Sequence, residues 1–191
     1  MKDLNPKFWW IILGKNDFTS TQCSAEVVLL GILRVIEEIR THQPDSKIIV
    51  NSILPLSPNR DGRVLRNSAV SINKTDGIKN RRTHFWFWDE SKQKDGSNIN
   101  IKVKKHMSYY WSAATAVNQQ LRIFCEKNKQ NTYYFDSNVL FLDKTNRGRF
   151  IKKELMSDML AGELTEQGHI AWHKAMVKKM KMIEKGSSKV R

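Results

Sequence analysis

The sequence predicts an α/β fold in which helices flank a parallel β-sheet, a three-layer α/β/α arrangement. The unbroken apolar run from Phe8 to Leu13 ends at Gly14 and is typical of a strand buried on both faces. An amphipathic stretch after Ser24 and a second apolar run, Lys47 to Leu54, complete a strand–helix–strand unit, which is parallel and right-handed in almost all proteins. Thr132 to Asp136 predicts a third buried strand.

The stretch after Ser24 has the features of a helix that packs on the sheet. Ser24 is the predicted N-cap, and Glu26 lies in the first turn, where a negative charge is favourable. Gly31 lies inside the helix, where glycine lowers stability, so we expect it to permit a close approach to the sheet. The apolar residues that recur at helical spacing and predict the buried stripe are Val28, Ile32, Val35, Ile36 and Ile39.

The stretch from Ser57 to Met107 lacks any regular hydrophobic period and is rich in Lys, Arg, Asn, Asp and Gly. We interpret it as a long basic insertion within one domain that spans residues 1–184, because structureless loops of this length are unusual in compact domains. Phe85 to Trp88 is an aromatic island in this stretch. It is interpreted as an anchor that holds the loop to the core, with an edge strand or a lid over a cleft as alternatives.

The last third of the chain returns to regular patterns. We predict a helix from Tyr109 to Lys127, and Val139 to Leu142 either extends the third strand or forms a helical turn. Lys144 to Arg149 is interpreted as a basic loop. Thr165 is the predicted N-cap of a final helix, and residues 185–191 are the predicted disordered basic tail. The apolar residues of the final helix are Ile170, Trp172, Met176, Val177 and Met180.

The composition restricts the class of protein. A chain of 191 residues fits a single domain with a sizeable core. Its net charge of +14 could attract nucleic acid or an anionic membrane. The sequence contains neither an aromatic platform for single strands nor a recognition-helix signature. The charge is therefore interpreted as a solvated basic surface, with weak, nonspecific binding of an anionic partner as the alternative.

Targeting, redox and cofactor signals are few. No apolar run approaches the ~20 residues that cross a bilayer. Met1 to Lys7 lack the pattern of a signal peptide, so the sequence leaves the compartment unassigned. Cys23 and Cys125 are far apart and lack metal-ligand spacing, which favours two free thiols over a disulfide. We predict no metal site and no cofactor.

A candidate site follows the first strand. Gly14 allows a sharp turn, and Asn16 is a neutral hydrogen-bond donor suited to an oxyanion. Asp17 is interpreted as a residue that caps or orients this turn. The block from Gly14 to Asp17, following a hydrophobic strand, resembles the third sequence block of the SGNH (GDSL-like) serine esterase and lipase superfamily. The resemblance implies a flavodoxin-like sheet, an acyl-ester or acylated-carbohydrate substrate, and Asn16 in the oxyanion hole.

Later segments extend this resemblance. Asn51 to Pro55 is similar to the family's next strand, and the stretch from Asp158 to Gly168 is similar to its terminal block, Asp-x-x-His followed by a glycine. Counted back from Gly168 without a gap, the position of the histidine is occupied by Glu163. Matching Asp158 to the aspartate requires a two-residue insertion and puts Ala161 at that position. Neither alignment supplies the catalytic histidine.

The departures from the family pattern shape the functional hypothesis. The family's serine lies in a Gly-Asp-Ser block before the third block, where this chain has only Met1 to Lys7. His169 and His173 occupy helical positions that indicate packing or solvent exposure. We therefore expect an SGNH-type esterase-like domain that is truncated or catalytically degenerate, with a sheet incomplete at its amino terminus. The alternative is a noncatalytic basic module that binds anionic partners such as nucleic acid.

The resemblance also predicts the layout of the site. The carboxyl ends of parallel strands meet at one edge of a sheet, so Asn16 and Pro55 should lie on the same rim. The loop from Asp158 to Glu163 should approach Asn16 across an open cleft, because the family's terminal block faces its oxyanion loop.

Overall fold

The computed structural model shows an α/β fold around a three-stranded parallel sheet. Strand β1 (Phe8–Ile11) pairs with β2 (Lys47–Asn51), which pairs with β3 (Thr132–Phe135) on its other side. The predicted sheet is confirmed, although β1 ends at Ile11 rather than Leu13 and is only partly buried. Strand β2 ends at Asn51, and the chain from residue 52 to residue 57 continues as a buried segment outside the sheet. The residues that the structure describes are 6–19, 23–57, 62–64, 98–145 and 148–187.

Helices flank this sheet. Helix α2 (Ala25–His42) connects β1 to β2, and α3 (Asn98–Lys127) precedes β3. Both crossovers step in the same direction across the sheet, so right-handed connections place α2 and α3 on one face, where they contact each other. On the other face lies α5 (Glu166–Ser187), whose Trp172 Nε1 donates a hydrogen bond of 3.3 Å to Asn51 Oδ1.

Helix α2 begins as predicted, because Ser24 Oγ accepts a hydrogen bond of 3.3 Å from the amide of Val27. Two predictions about its faces are wrong. Val35 is 38% exposed, and a Cβ placed on Gly31 would have no neighbour within 4 Å, so Gly31 faces solvent rather than the sheet. Both lie off the buried stripe. That stripe consists of Ala25, Val28, Leu29, Ile32, Ile36 and Ile39.

Helix α3 begins at Asn98, earlier than the predicted start at Tyr109. The residues of its first part alternate between apolar and polar, as in Ile99, Ile101 and Val103, which hides the helical period. Helix formation is cooperative, so a well-packed second half extends the helix into a stretch with little periodicity of its own. Most of the predicted insertion, including the aromatic island from Phe85 to Trp88, lies outside the described residues.

After β3 the chain forms short elements, of which the sequence indicated only the first. Helix α4 (Asn138–Phe141) is the helical turn proposed as one alternative for this stretch. It is followed by an antiparallel hairpin of β4 (Leu142–Thr145) and β5 (Gly148–Ile151). The predicted basic loop is therefore wrong, because Lys144 and Arg149 are cross-strand partners in this hairpin. Four-residue strands with charged side chains give too short a pattern to identify from sequence.

A second small hairpin leads into the last helix. Strands β6 (Met156–Asp158) and β7 (Glu163–Leu164) are antiparallel. Thr165 caps α5 as predicted, since its Oγ1 accepts a hydrogen bond of 3.0 Å from the amide of Gly168. The predicted apolar face is partly wrong, because Ile170 is 46% exposed. The helix also continues through Ser187, into the predicted tail, and residues 188–191 lie outside the described residues.

The two cysteines are free thiols, as predicted. Cys125 is buried in α3, and this burial raises the pKa of its thiol from 9.0 to about 12. Cys23 is half-buried at the start of α2. None of the helices in the described part of the chain is both long enough and apolar enough to cross a bilayer.

Candidate active-site cleft

A cleft of about 630 Å³ opens at the carboxyl ends of β1 and β2, and we call it the Asn16 cleft. Its walls come from three chain segments and the start of α5. The segments are residues 12–17, 52–54 and 162–164, and α5 contributes His169 and Trp172. The predicted approach of Asn16 to the loop before the final helix is confirmed, because both line this cleft.

Gly14 sets the geometry of the first wall. Its φ is +100°, and a Cβ there would lie 2.7 Å from Ile53 Cδ1 and 3.1 Å from Val28 Cγ1. Both the backbone conformation and the lack of space exclude a side chain. The turn at Gly14 thus directs the chain from β1 into the short helix α1 (Lys15–Thr19), which carries Asn16.

Helix α1 presents Asn16 to solvent at the rim. Phe18, on the same helix, is fully buried and packs edge-to-face on Tyr110 with ring centroids 5.7 Å apart. The Asn16 side chain is exposed and makes no hydrogen bond to any described residue. Its amide is therefore available to donate to a ligand oxygen. Asp17 also lines the cleft, and its backbone carbonyl accepts a hydrogen bond of 2.9 Å from the amide of Cys23.

The opposite wall is the loop between β6 and β7. Lys15 Nζ donates a hydrogen bond of 2.9 Å to the carbonyl oxygen of Ala161, which links the two walls directly. Gly162 has a φ of +68°, and a Cβ there would lie 2.5 Å from Leu56 Cδ2. The loop therefore packs closely against the buried segment after β2. Sequence reasoning missed Lys15, whose position between Gly14 and Asn16 was the only available signal.

The two acidic candidates in this loop differ in position. Glu163 is exposed and lines the Asn16 cleft. Asp158 is not among the residues that line it. Its Oδ1 accepts hydrogen bonds from the amides of Leu160 and Ala161, at 2.8 and 2.9 Å. Asp158 therefore stabilises the turn that places Ala161 against Lys15.

The base of the cleft contains one serine, Ser52, among the described residues that line it. Ser52 is 2% exposed, and its Oγ lies 2.8 Å from Ser137 Oγ and accepts a hydrogen bond of 3.0 Å from the Ser137 amide. His169 is exposed at the rim, and its ring makes no hydrogen bond to a described residue. His173 is exposed and does not line the cleft. Ser52 is thus engaged by Ser137 rather than by a histidine.

These groups define what the cleft can do. Asn16 offers one donor to a developing negative charge on oxygen. Acyl transfer through a serine also requires a base within hydrogen-bond reach of the hydroxyl. Across the described ranges, no cluster of three or more His, Cys, Asp or Glu side chains could hold a metal ion.

Comparisons with known proteins agree with this architecture. No protein-family model matches the sequence, and no curated protein matches it. The fold is similar to that of a candidate acylhydrolase from Bacteroides fragilis, with a TM-score of 0.56, 13% identity, and 93% of this chain and 62% of the other covered. It is also similar to a candidate platelet activating factor from Streptococcus pneumonia, with a TM-score of 0.54, 14% identity, and 91% and 59% coverage. The chain spans about three fifths of the length of these structures and shares their α/β fold.

Proposed function

We propose that this chain is an SGNH-type esterase-like domain whose Asn16 cleft receives the acyl group of an ester, with Asn16 as an oxyanion donor. The observation that carries the proposal is the unengaged amide of Asn16, which a sterically enforced glycine turn holds opposite the loop of Glu163. Gly14 shapes the turn, and Asp17 lies beside Asn16 as a positioning group. An acyl ester, including an acylated carbohydrate, is the substrate class that fits this chemistry.

We further propose that the domain is catalytically degenerate. Two features of the cleft support this proposal. Ser52 is buried and bonded to Ser137, and the ring of His169, the histidine among the described residues that line the cleft, is exposed at the rim and makes no hydrogen bond to Ser52. A single asparagine donor stabilises an oxyanion but cannot activate a nucleophile.

The alternative, a noncatalytic basic module for nucleic acid, receives no support from the Asn16 cleft. The walls of the Asn16 cleft carry charges of both signs, from Lys15, Asp17 and Glu163. A site that neutralises a phosphate backbone instead concentrates lysine and arginine.

The proposal is tested by hydrolysis of p-nitrophenyl butyrate, measured with the purified chain and with its Asn16→Ala variant. We expect both rates to equal the rate in buffer. Hydrolysis above the rate in buffer would overturn the proposal that the domain is catalytically degenerate. It would support the esterase role if a serine-directed phosphonate blocked it and Asn16→Ala lowered its rate by about 10²–10³-fold.

A further inference from the structure

A second cleft lies beside the far edge of the sheet, between α3, the end of β3 and the β4–β5 hairpin. We call it the hairpin cleft. Its volume is about 440 Å³, which is within the range of small-molecule sites. Its lining residues differ entirely from those of the Asn16 cleft, so the function proposed above does not use it.

The charges in the hairpin cleft are unbalanced. Arg122 is matched by Asp136, with 2.9 Å between Nη2 and Oδ2, and its guanidinium lies 5.3 Å from the centroid of the Tyr134 ring. Lys144 and Arg149 are cross-strand partners on β4 and β5, and both line the cleft. Neither forms an ion pair with a described residue. Two like charges directly opposite each other destabilise a hairpin unless an anion lies between them.

Two other side chains that line the hairpin cleft each have a polar atom without a hydrogen-bond partner. Thr115 Oγ1 and Asn138 Oδ1 are buried and have no hydrogen-bond partner among the described residues, and both residues line the cleft. The Asn138 amide nitrogen already donates to the carbonyl of Ile53, at 3.2 Å, so its orientation is fixed and its oxygen can only accept. The Asn138 oxygen is thus a buried acceptor without a donor, which is unfavourable, and a bare oxyanion cannot supply that donor. A hydroxyl group can.

These two requirements identify the class of ligand. We propose that the hairpin cleft binds a small hydroxylated anion, such as a sugar phosphate or a sugar acid. Lys144 and Arg149 hold its oxyanion, and its hydroxyl groups face the side chains of Thr115 and Asn138. The half-buried ring of Tyr134 supplies apolar surface in the lining of the cleft.

Calorimetric titration of the full chain at low salt tests this site with four probes: glucose 6-phosphate, glucuronate, glucose and inorganic phosphate. We expect binding of at least one hydroxylated anion, at least tenfold tighter than binding of glucose or of phosphate. The first two probes distinguish a phosphate from a carboxylate as the preferred oxyanion. The proposal would be overturned if inorganic phosphate bound as tightly as the hydroxylated anions, or if neither hydroxylated anion bound.

Two double variants locate the site. Lys144→Gln with Arg149→Gln should weaken binding at least tenfold. Lys174→Gln with Lys178→Gln, which removes the same charge from exposed positions on α5, should leave binding unchanged. An equal loss in both would indicate nonspecific attraction to a basic surface and would contradict the site.

Because the hairpin variant could lose structure, its circular dichroism and thermal midpoint are measured first. The ligand should raise the thermal midpoint of the wild type and of the α5 variant, but not that of the hairpin variant.

Discussion

Residues of the Asn16 cleft and of the hairpin cleft contact the same short segment after β2, but the two clefts are lined by different kinds of groups. Gly14 of the Asn16 cleft packs on the Ile53 side chain, whereas Asn118 and Asn138 beside the hairpin cleft bond to the Ile53 backbone. The first cleft is shaped by glycine turns and has one unengaged amide. The second is lined by cations, aromatic rings and unpaired polar atoms. This difference separates a cleft defined by backbone shape from one defined by side-chain charge.

The largest difference that we expect between the two regions is in thiol reactivity. Cys23 adjoins the Asn16 cleft, through its bond to Asp17, and Cys125 lies in α3 beside the hairpin cleft. Burial raises the pKa of Cys125 from 9.0 to about 12, which lowers its thiolate fraction at pH 8 by about a thousandfold. A disulfide reagent at pH 8 should therefore modify Cys23 first, and Cys125 only after unfolding. Equal labelling rates in the native protein would contradict the packing of α3.

The same pKa shift predicts how stability depends on pH. Above pH 9 the Cys125 thiol ionises in the unfolded chain while it stays protonated in the native protein. The unfolded state then binds fewer protons, so the free energy of unfolding should fall as the pH rises from 9 towards 12. Cys125→Ala should remove this part of the pH dependence, as measured by urea unfolding at several pH values.

Gly14→Ala should cost the most stability among single substitutions at the Asn16 cleft. The new Cβ meets Ile53 at 2.7 Å with a φ of +100°, and we expect a loss of about 3 kcal/mol in urea unfolding. Gly31→Ala is the matched control. It lies in an exposed helical position with open space, so it should gain about 0.5–1 kcal/mol. Equal effects of the two substitutions would rule out steric control by the Gly14 turn.

Asn118→Leu tests the shared segment from the side of the hairpin cleft. Asn118 is 7% exposed, and its amide bonds to Ile53 N at 2.7 Å and to Ile53 O at 3.1 Å. Leucine has a similar size but leaves the buried Ile53 amide unpaired, so we expect a loss of about 2 kcal/mol. If the free energy of unfolding stays unchanged, the segment does not depend on this contact.

The smallest expected effect concerns the hairpin itself. Lys144→Gln removes one of two like charges that face each other, and it should raise stability by about 0.2–1 kcal/mol at low salt. Lys153→Gln, at an exposed position outside the hairpin, should have no measurable effect. A loss of stability at Lys144 would mean that its charge already has a stabilising partner.

The contrast between the clefts also explains which features the sequence could predict. The long apolar run before Gly14 and the rule that strand ends share one edge placed Asn16 at the rim of the sheet, whereas only the family resemblance placed the Glu163 loop opposite it. Asp158 was assigned to the site from resemblance, whereas its carboxylate holds a turn. The hairpin cleft escaped prediction because four-residue strands carry little periodicity. Ser52 also escaped, because a buried serine pair depends on contacts 85 residues apart in sequence.

The central claim is that the Asn16 amide contacts the oxygen of a bound acyl group. The most direct measurement is a nuclear magnetic resonance titration with sodium butyrate, whose carboxylate stands in for the oxyanion. We predict saturable shifts of the Asn16 side-chain amide and at least tenfold weaker binding in Asn16→Asp. Gln130→Glu, the same amide-to-carboxylate change at an exposed site outside the cleft, should bind normally. Absence of binding, or binding that leaves the Asn16 amide unshifted and tolerates Asn16→Asp, would contradict the claim.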